Sequence, residues 1–206
     1  ASNMLRSKIK WLVPVALTLL SFWSGVESAN AQKIYNFTVV YDTSVKINPF
    51  KPNLPDIVRA TITGEATDAP YGLSSFTSNT YGKVINDPNT SITTTIFNSD
   101  PAVLGLQGEQ AFSDTYGSEN QLFGKASDSA QVNPAAGTIQ GGGTITIYGG
   151  TGIFENARGI ITFTESDTLN SDPTAPSKGQ AKLRFFFEVP DKVVGSSKSR
   201  HQYPNP

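Results

Sequence analysis

The chain has no cysteine. Disulfides, thiol nucleophiles, Cys–zinc sites and iron–sulfur ligation are therefore excluded, and stability must come from packing and ladder hydrogen bonds. The only histidine, His201, lies in a tail rich in Ser, Lys, Arg and Pro. That inventory leaves no Ser–His triad and no His-built metal centre for the folded part. Charge is also scarce, at 16% of residues with a formal net charge of -1. No basic patch is available for nucleic acid, and no run of like charge suits a membrane surface. The scattered aspartates Asp68, Asp87, Asp100, Asp114 and Asp128 lack calcium-loop spacing and read as turn residues. No metal and no cofactor is expected.

What the chain does have begins with an export signal. Arg6, Lys8 and Lys10 form a positive segment after Met4, and Trp11 to Trp23 form an apolar stretch shorter than the ~20 residues of a membrane span. Ala29-Asn30-Ala31 then supplies the small-x-small pattern that a signal peptidase reads. The expected organisation is a cloning scar over 1–3, a signal peptide over 4–31, a single β-domain over 32–194 and a disordered tail over 195–206. The mature protein would begin at Gln32, carry no transmembrane segment and work outside the cytoplasm, in the periplasm or beyond it. Losing Arg6, Lys8, Lys10 and Glu27 moves the formal charge from -1 to -3.

After residue 31 no stretch holds a helical period. Alternating runs recur instead, separated by turn residues. Strands are expected over 34–41, 57–67, 73–85, 91–98, 122–132, 138–148, 159–169 and 179–189. The proline-rich stretch 48–55 reads as a loop, since proline lacks the ladder donor. The last run places Ala181, Leu183, Phe185, Phe187 and Val189 on one face and Lys182, Arg184 and Glu188 on the other, which calls for a deep core. Gly141-Gly142-Gly143 in mid-strand leaves backbone bare, as where a sheet bends sharply or a large side chain lies over it. We read a single all-β domain: a closed or nearly closed antiparallel barrel of about eight strands. A two-sheet sandwich is the alternative that strand counting does not separate from it.

Between the runs at 138–148 and 159–169 lies Gly149-Gly150-Thr151-Gly152-Ile153-Phe154-Glu155-Asn156-Ala157-Arg158-Gly159. It is no dinucleotide loop, because Glu155 stands where the third glycine belongs and a strand follows instead of a helix. Its glycines Gly149, Gly150, Gly152 and Gly159 mark a structured corner. The run resembles the GGTGxFxxARG signature of dirigent proteins, and is similar to the GGxGIFEGAYG stretch of allene oxide cyclases in the same barrel superfamily. Phe37-Thr38-Val39-Val40-Tyr41-Asp42 resembles the first dirigent strand, and Tyr81 to Thr90 resembles the family's FGxVxxxDDPLT segment. The resemblance implies a barrel with a small-molecule lumen, assembled as a trimer or higher homo-oligomer, that guides coupling or cyclisation of phenolic intermediates.

Carried over residue by residue, Asp42 matches the strand-one carboxylate and Arg158 the arginine of the corner, as the implied catalytic pair. Asp42 would take a phenolic proton and Arg158 would hold oxyanion charge. Phe185 and Phe187 would line the ligand, or simply fill the core. The chain departs from the pattern at Gly152, where catalytic dirigents carry an acid, and in having no cysteines for the family disulfide. Asp42 reads equally well as a turn cap, and Arg158 as a clamp on corner carbonyls or a partner of Glu155. Two functions follow. One is a barrel that binds a small, largely apolar or phenolic ligand, with or without weak lyase or isomerase activity. The other is a non-catalytic structural or surface protein that acts by self-association. The inventory leans against an enzyme, since it holds no His, no Cys and no complete acid–base pair.

Overall fold

The computed structural model describes residues 32–191. The expected leader at 1–31 lies outside them, as does the expected tail at 195–206. Nine strands follow in chain order: β1 (Gln32–Lys51), β2 (Leu54–Glu65), β3 (Ser75–Asn86), β4 (Thr93–Asn98), β5 (Asp114–Tyr116), β6 (Leu122–Asn133), β7 (Thr138–Gly150), β8 (Arg158–Thr168) and β9 (Ser177–Pro190). They form one continuous sheet in the order β2-β1-β9-β8-β7-β6-β4-β3, and β2 pairs back onto β3. The sheet is thus an eight-membered ring, with first and last strands joined as a barrel requires. Stacked Tyr35–Phe187 and Phe37–Phe185, then the Asp42–Gln180 hydrogen bond, step in opposite directions along β1 and β9, so that seam is antiparallel.

The short β5 was not legible in the alternation. It pairs with β3 at Phe76–Thr77 and with β6 at Leu122–Gly124, while β4 pairs with the same two strands further along. Together β4 and β5 fill one position of the ring, interrupted by an excursion over 99–113. The excursion lies against the outer side of β3, where Tyr81 stacks on Phe112 at 4.6 Å and donates to the Gln110 carbonyl at 2.8 Å. Leu104, Leu106, Ile57, Phe50 and Leu54 complete a small apolar cluster there.

The proline-rich stretch at 48–55, expected as a loop, is strand on both sides of a two-residue turn at Pro52-Asn53. Pro49 pairs with Val58 and Lys51 with Leu54 in a β1–β2 hairpin, with a bulge between Pro49 and Lys51. The Asp42–Gln180 contact sets Ser177, where β9 starts, opposite Val45. Beyond Val45 the β9 side of β1 is therefore an edge, where a missing donor leaves no ladder bond unmade.

Strand directions give the barrel two ends. One carries the glycine corner and the 66–74 loop. The other carries the hairpin turns at 51–54 and 133–138, the 87–92 turn and the 169–176 loop. The corner end is plugged by rings. Phe154 is fully buried and meets Tyr35 and Phe187 edge-on at 5.5 and 5.4 Å, and Phe185 meets Tyr116 edge-on at 5.7 Å. Tyr41, also fully buried, donates to the Leu73 carbonyl at 2.6 Å.

Candidate functional site

Strand alternation turns β6 so that Leu122, Gly124, Ala126 and Asp128 face inward, and β8 so that Ile161, Phe163, Glu165 and Asp167 do. With Asp114 of β5, four carboxyl groups thus face the interior, three of them (Asp114, Asp128 and Glu165) around one cavity. Each has a glycine as its cross-strand partner: Asp114 faces Gly124, Asp128 faces Gly143, Glu165 faces Gly141 and Asp167 faces Gly179. The glycines make the room. A Cβ on Gly143 would come within 2.5 Å of the Asp128 Cβ, and one on Gly179 within 2.6 Å of an Asp167 oxygen. The mid-strand triplet seen in the sequence is therefore the wall against which these acids sit.

Two small cavities adjoin the acids. One, of about 20 Å³, is lined by Phe76, Ser78, Asp114, Tyr116, Ala126 and Leu183 among others; the second, of about 30 Å³, by Val45, Ile47, Ala60, Phe97, Val132 and Ile139. Ile62, Asp128, Phe163 and Glu165 border both. No Lys, Arg or His lines either cavity. The second cavity lies toward the hairpin end, where Ile47 is 37% exposed.

Burial sets the electrostatics. It pushes Asp114 up to about 7, against the hydrogen bonds from Ser78 and Tyr116 and the charge of Lys125. It also lifts Asp128 to about 7, with Asp114 adding repulsion. Glu165 is raised further, by burial first and then by the neighbouring Asp167 side chain and the charges of Asp167 and Asp128. Asp114 accepts from the Tyr116 hydroxyl at 3.1 Å on Oδ2, and Asp167 accepts from Thr43 at 2.7 Å on Oδ1. The other oxygen of each, Asp114 Oδ1 and Asp167 Oδ2, is buried without a hydrogen-bond partner. Burial thus leaves Asp114 and Asp128 partly protonated near pH 7 and favours protonated Glu165, so these acids can donate a hydrogen bond or a proton.

The residues singled out from the sequence lie elsewhere. Asp42 is exposed and accepts from the Gln180 side chain at 3.2 Å. Arg158 is exposed, pairs across the ladder with Glu188, and donates to the Ala157 carbonyl at 2.8 Å. Gln180 and Glu188 stand eight residues apart on β9, so these two sites are separated by roughly 26 Å along the strand at ~3.3 Å per residue. The expectation that Arg158 comes within reach of Asp42 is corrected. Asp42 is an even-numbered residue of β1, whose odd-numbered neighbours Tyr41 and Thr43 take the inward face. Phe185 and Phe187 are buried in the ring plug and line neither luminal cavity.

In the corner, Gly149 and Gly150 end β7 and Gly159 lies just inside β8. Gly152 takes a φ of 61°, and the next residue, Ile153, donates its N–H to the Asn120 side chain at 3.0 Å. Asp114 and Asp128, read as turn residues, are instead strand residues facing the lumen. Glu165 and Asp167 carried no signal as a site. The inward register they share with Ile161 and Phe163 was the available clue.

No family model matches the chain, and no curated protein matches it either. Among solved structures the chain is similar to the pterocarpan synthase dirigent protein GePTS1, at 14% identity, with a TM-score of 0.37 over 79% of this chain and 88% of that one. The likeness is distant and concerns the fold alone. Among the described residues no helix is long and apolar enough to cross a membrane.

Proposed function

We propose that the chain is an exported barrel of the dirigent and allene oxide cyclase kind that takes a small, largely apolar molecule into its lumen beside Asp114, Asp128 and Glu165. One observation carries this reading: acid side chains whose neutral form burial favours border two adjoining cavities that share Ile62, Asp128, Phe163 and Glu165. A fold kept only for stability gains nothing from buried acids without cationic partners, whereas perturbed carboxyls in a cavity suit recognition and general-acid chemistry. Any lyase or isomerase step would use these acids as proton donors. Asp42 and Arg158 have no part in this version of the site.

The test is native mass spectrometry of protein purified from its source, with the N-terminal residue determined on the same sample. A retained small molecule that is lost in the Asp128→Asn/Glu165→Gln variant supports the reading, and an N-terminus at Gln32 supports export.

A second reading is favoured by the cavity volumes. At about 20 and 30 Å³ they hold little more than water at rest. On that reading the barrel is a filled structural unit that acts through its outer surface, where Ile34, Ile160 and Phe186 are exposed together beside Arg158 and Glu188. Concentration-dependent assembly in sedimentation velocity, with no retained molecule, would favour it.

A further inference from the structure

We infer that the lumen binds the ammonium group of a slim primary alkylamine, seated among Asp114, Asp128 and Glu165, with its alkyl chain running through the apolar cavity toward the hairpin end. The inference rests on the reading that the lumen takes a small ligand, and it names the ligand class.

The charge pattern comes first. Carboxyl groups line the two cavities with no cationic side chain beside them. The charge of Lys125 is felt at Asp114, but its side chain is exposed and its ammonium donates to the Phe112 carbonyl. A cation is thus the missing complement inside the ring. The second observation is independent of charge. Asp114 is 1% exposed, borders the smaller cavity, and leaves Oδ1 without a donor. An ammonium brings three N–H donors, where a hydroxyl brings one.

Size and shape narrow the class. The smaller cavity, about 20 Å³, takes one group the size of a water molecule. An ammonium is of that size, while a guanidinium or a ring is not. Phe76, Tyr116 and Phe163 stand around the same space and favour a cation over their faces. Beyond Asp128 and Glu165 the second cavity is bordered by Phe97, Val45, Ile47, Val132 and Ile139, an apolar lining that suits an unbranched alkyl chain; at about 30 Å³ it takes such a chain only as the lumen widens around it.

The groups around the seat are Asp114 and Tyr116 on β5, Asp128 on β6, Glu165 and Asp167 on β8, Ser78 on β3 and Tyr41 on β1, with Lys125 outside. Burial holds the acids protonated, so an arriving ammonium converts a carboxylic acid to carboxylate and the displaced proton leaves to solvent. Binding should therefore release a proton.

The experiment is isothermal titration of the mature chain at pH 6.5 and fixed ionic strength, with n-butylammonium, n-butanol and n-butyrate as probes, in two buffers of different ionisation enthalpy. We expect saturable one-to-one binding of butylammonium with proton release, and binding of butanol and butyrate at least tenfold weaker. Asp128→Asn/Glu165→Gln should weaken butylammonium at least tenfold while circular dichroism shows the sheet intact. Asp114→Asn alone is the second variant, in case the pair fails to fold. Butanol binding as tightly as butylammonium would overturn the amine class and leave the small-ligand reading standing. Binding of no probe would overturn the amine class, and with no retained molecule from the source the luminal reading falls as well. Butylammonium binding unchanged in all variants would place it on the surface and overturn the inference.

Discussion

The two ends of the lumen are built from the same strands by opposite rules. Toward the corner, β1 and β9 contribute Tyr35, Phe37, Phe185 and Phe187, which stack in pairs at 4.7 and 5.0 Å and close over Phe154. Further along, where Gly179 takes an inward position on β9, the facing positions of β8 are Asp167 and Glu165, and buried oxygens go without donors. Toward the corner the buried rings are apolar or, like Tyr41, hydrogen-bonded, as packing for stability requires. In the acid layer several local rules are broken together, with no cationic partner lining the cavities among the described residues. Such concentrated violations mark places kept for something other than stability.

The contrast makes the corner end the more costly to disturb. Phe154→Ala removes a fully buried ring from the plug, and such truncations cost about 3–5 kcal/mol. Urea unfolding should show that loss as a lower midpoint with an unchanged slope. Asp128→Asn, of nearly the same volume, should leave the midpoint equal or higher at pH 8, because it removes a charge that burial opposes. Equal losses at the two positions would erase the distinction between the ends.

Next in size is the pH dependence. Asp114 and Asp128 are raised to about 7, against about 4 for a carboxyl in the unfolded chain. Between those values the native state binds more protons than the unfolded one, so stability falls as pH rises. The contribution is fully present below pH ~4 and is lost as pH passes through about 7, by up to about 4 kcal/mol for each of the two groups. Melting temperatures from pH 5 to pH 9 should therefore descend, and Asp114→Asn should flatten the descent. A profile flat over that range in the native chain would show that the acids are hydrated rather than buried.

The glycines opposite the acids carry a smaller effect. In Gly143→Ala the new Cβ would lie 2.5 Å from both the Asp128 Cβ and the Ser127 carbonyl. The sheet must shift to relieve it, at about 1–3 kcal/mol. Gly137→Ala has open space and strains only its φ of 67°, so thermal melts of the two variants separate crowding at the acid layer from backbone strain in a hairpin turn.

Much of this fold was legible because alternation and turn residues mark a strand wherever both faces differ. The run from Ala181 to Val189 is the clearest case. Strand β5 escaped because three residues cannot establish a period, and Pro49 misled because its tolerance depends on how far β9 extends along β1. The site was far less legible. Asp114 and Asp128 are ordinary turn residues by type, and only the ring register sets each acid against a glycine. The triplet Gly141-Gly142-Gly143 was visible, with a sharp bend of the sheet and an overlying side chain as its two readings. The identity of the overlying groups was a long-range fact that no local pattern carries.

The smallest expected effect concerns Arg158, the residue to which sequence resemblance assigned a functional role. Its guanidinium is exposed and donates to the carbonyl of the preceding residue, so it acts as a local clamp on the corner. Exposed contacts of this kind are worth at most about 1 kcal/mol. Arg158→Leu should lower the urea midpoint slightly and leave both butylammonium affinity and any retained molecule unchanged, because Arg158 lines neither luminal cavity. Should the variant keep its midpoint but lose its ligand, the corner would be the binding region, and the luminal acids would need another explanation. The same variant thus weighs the two ends of the barrel against each other, with stability and retention read on one sample.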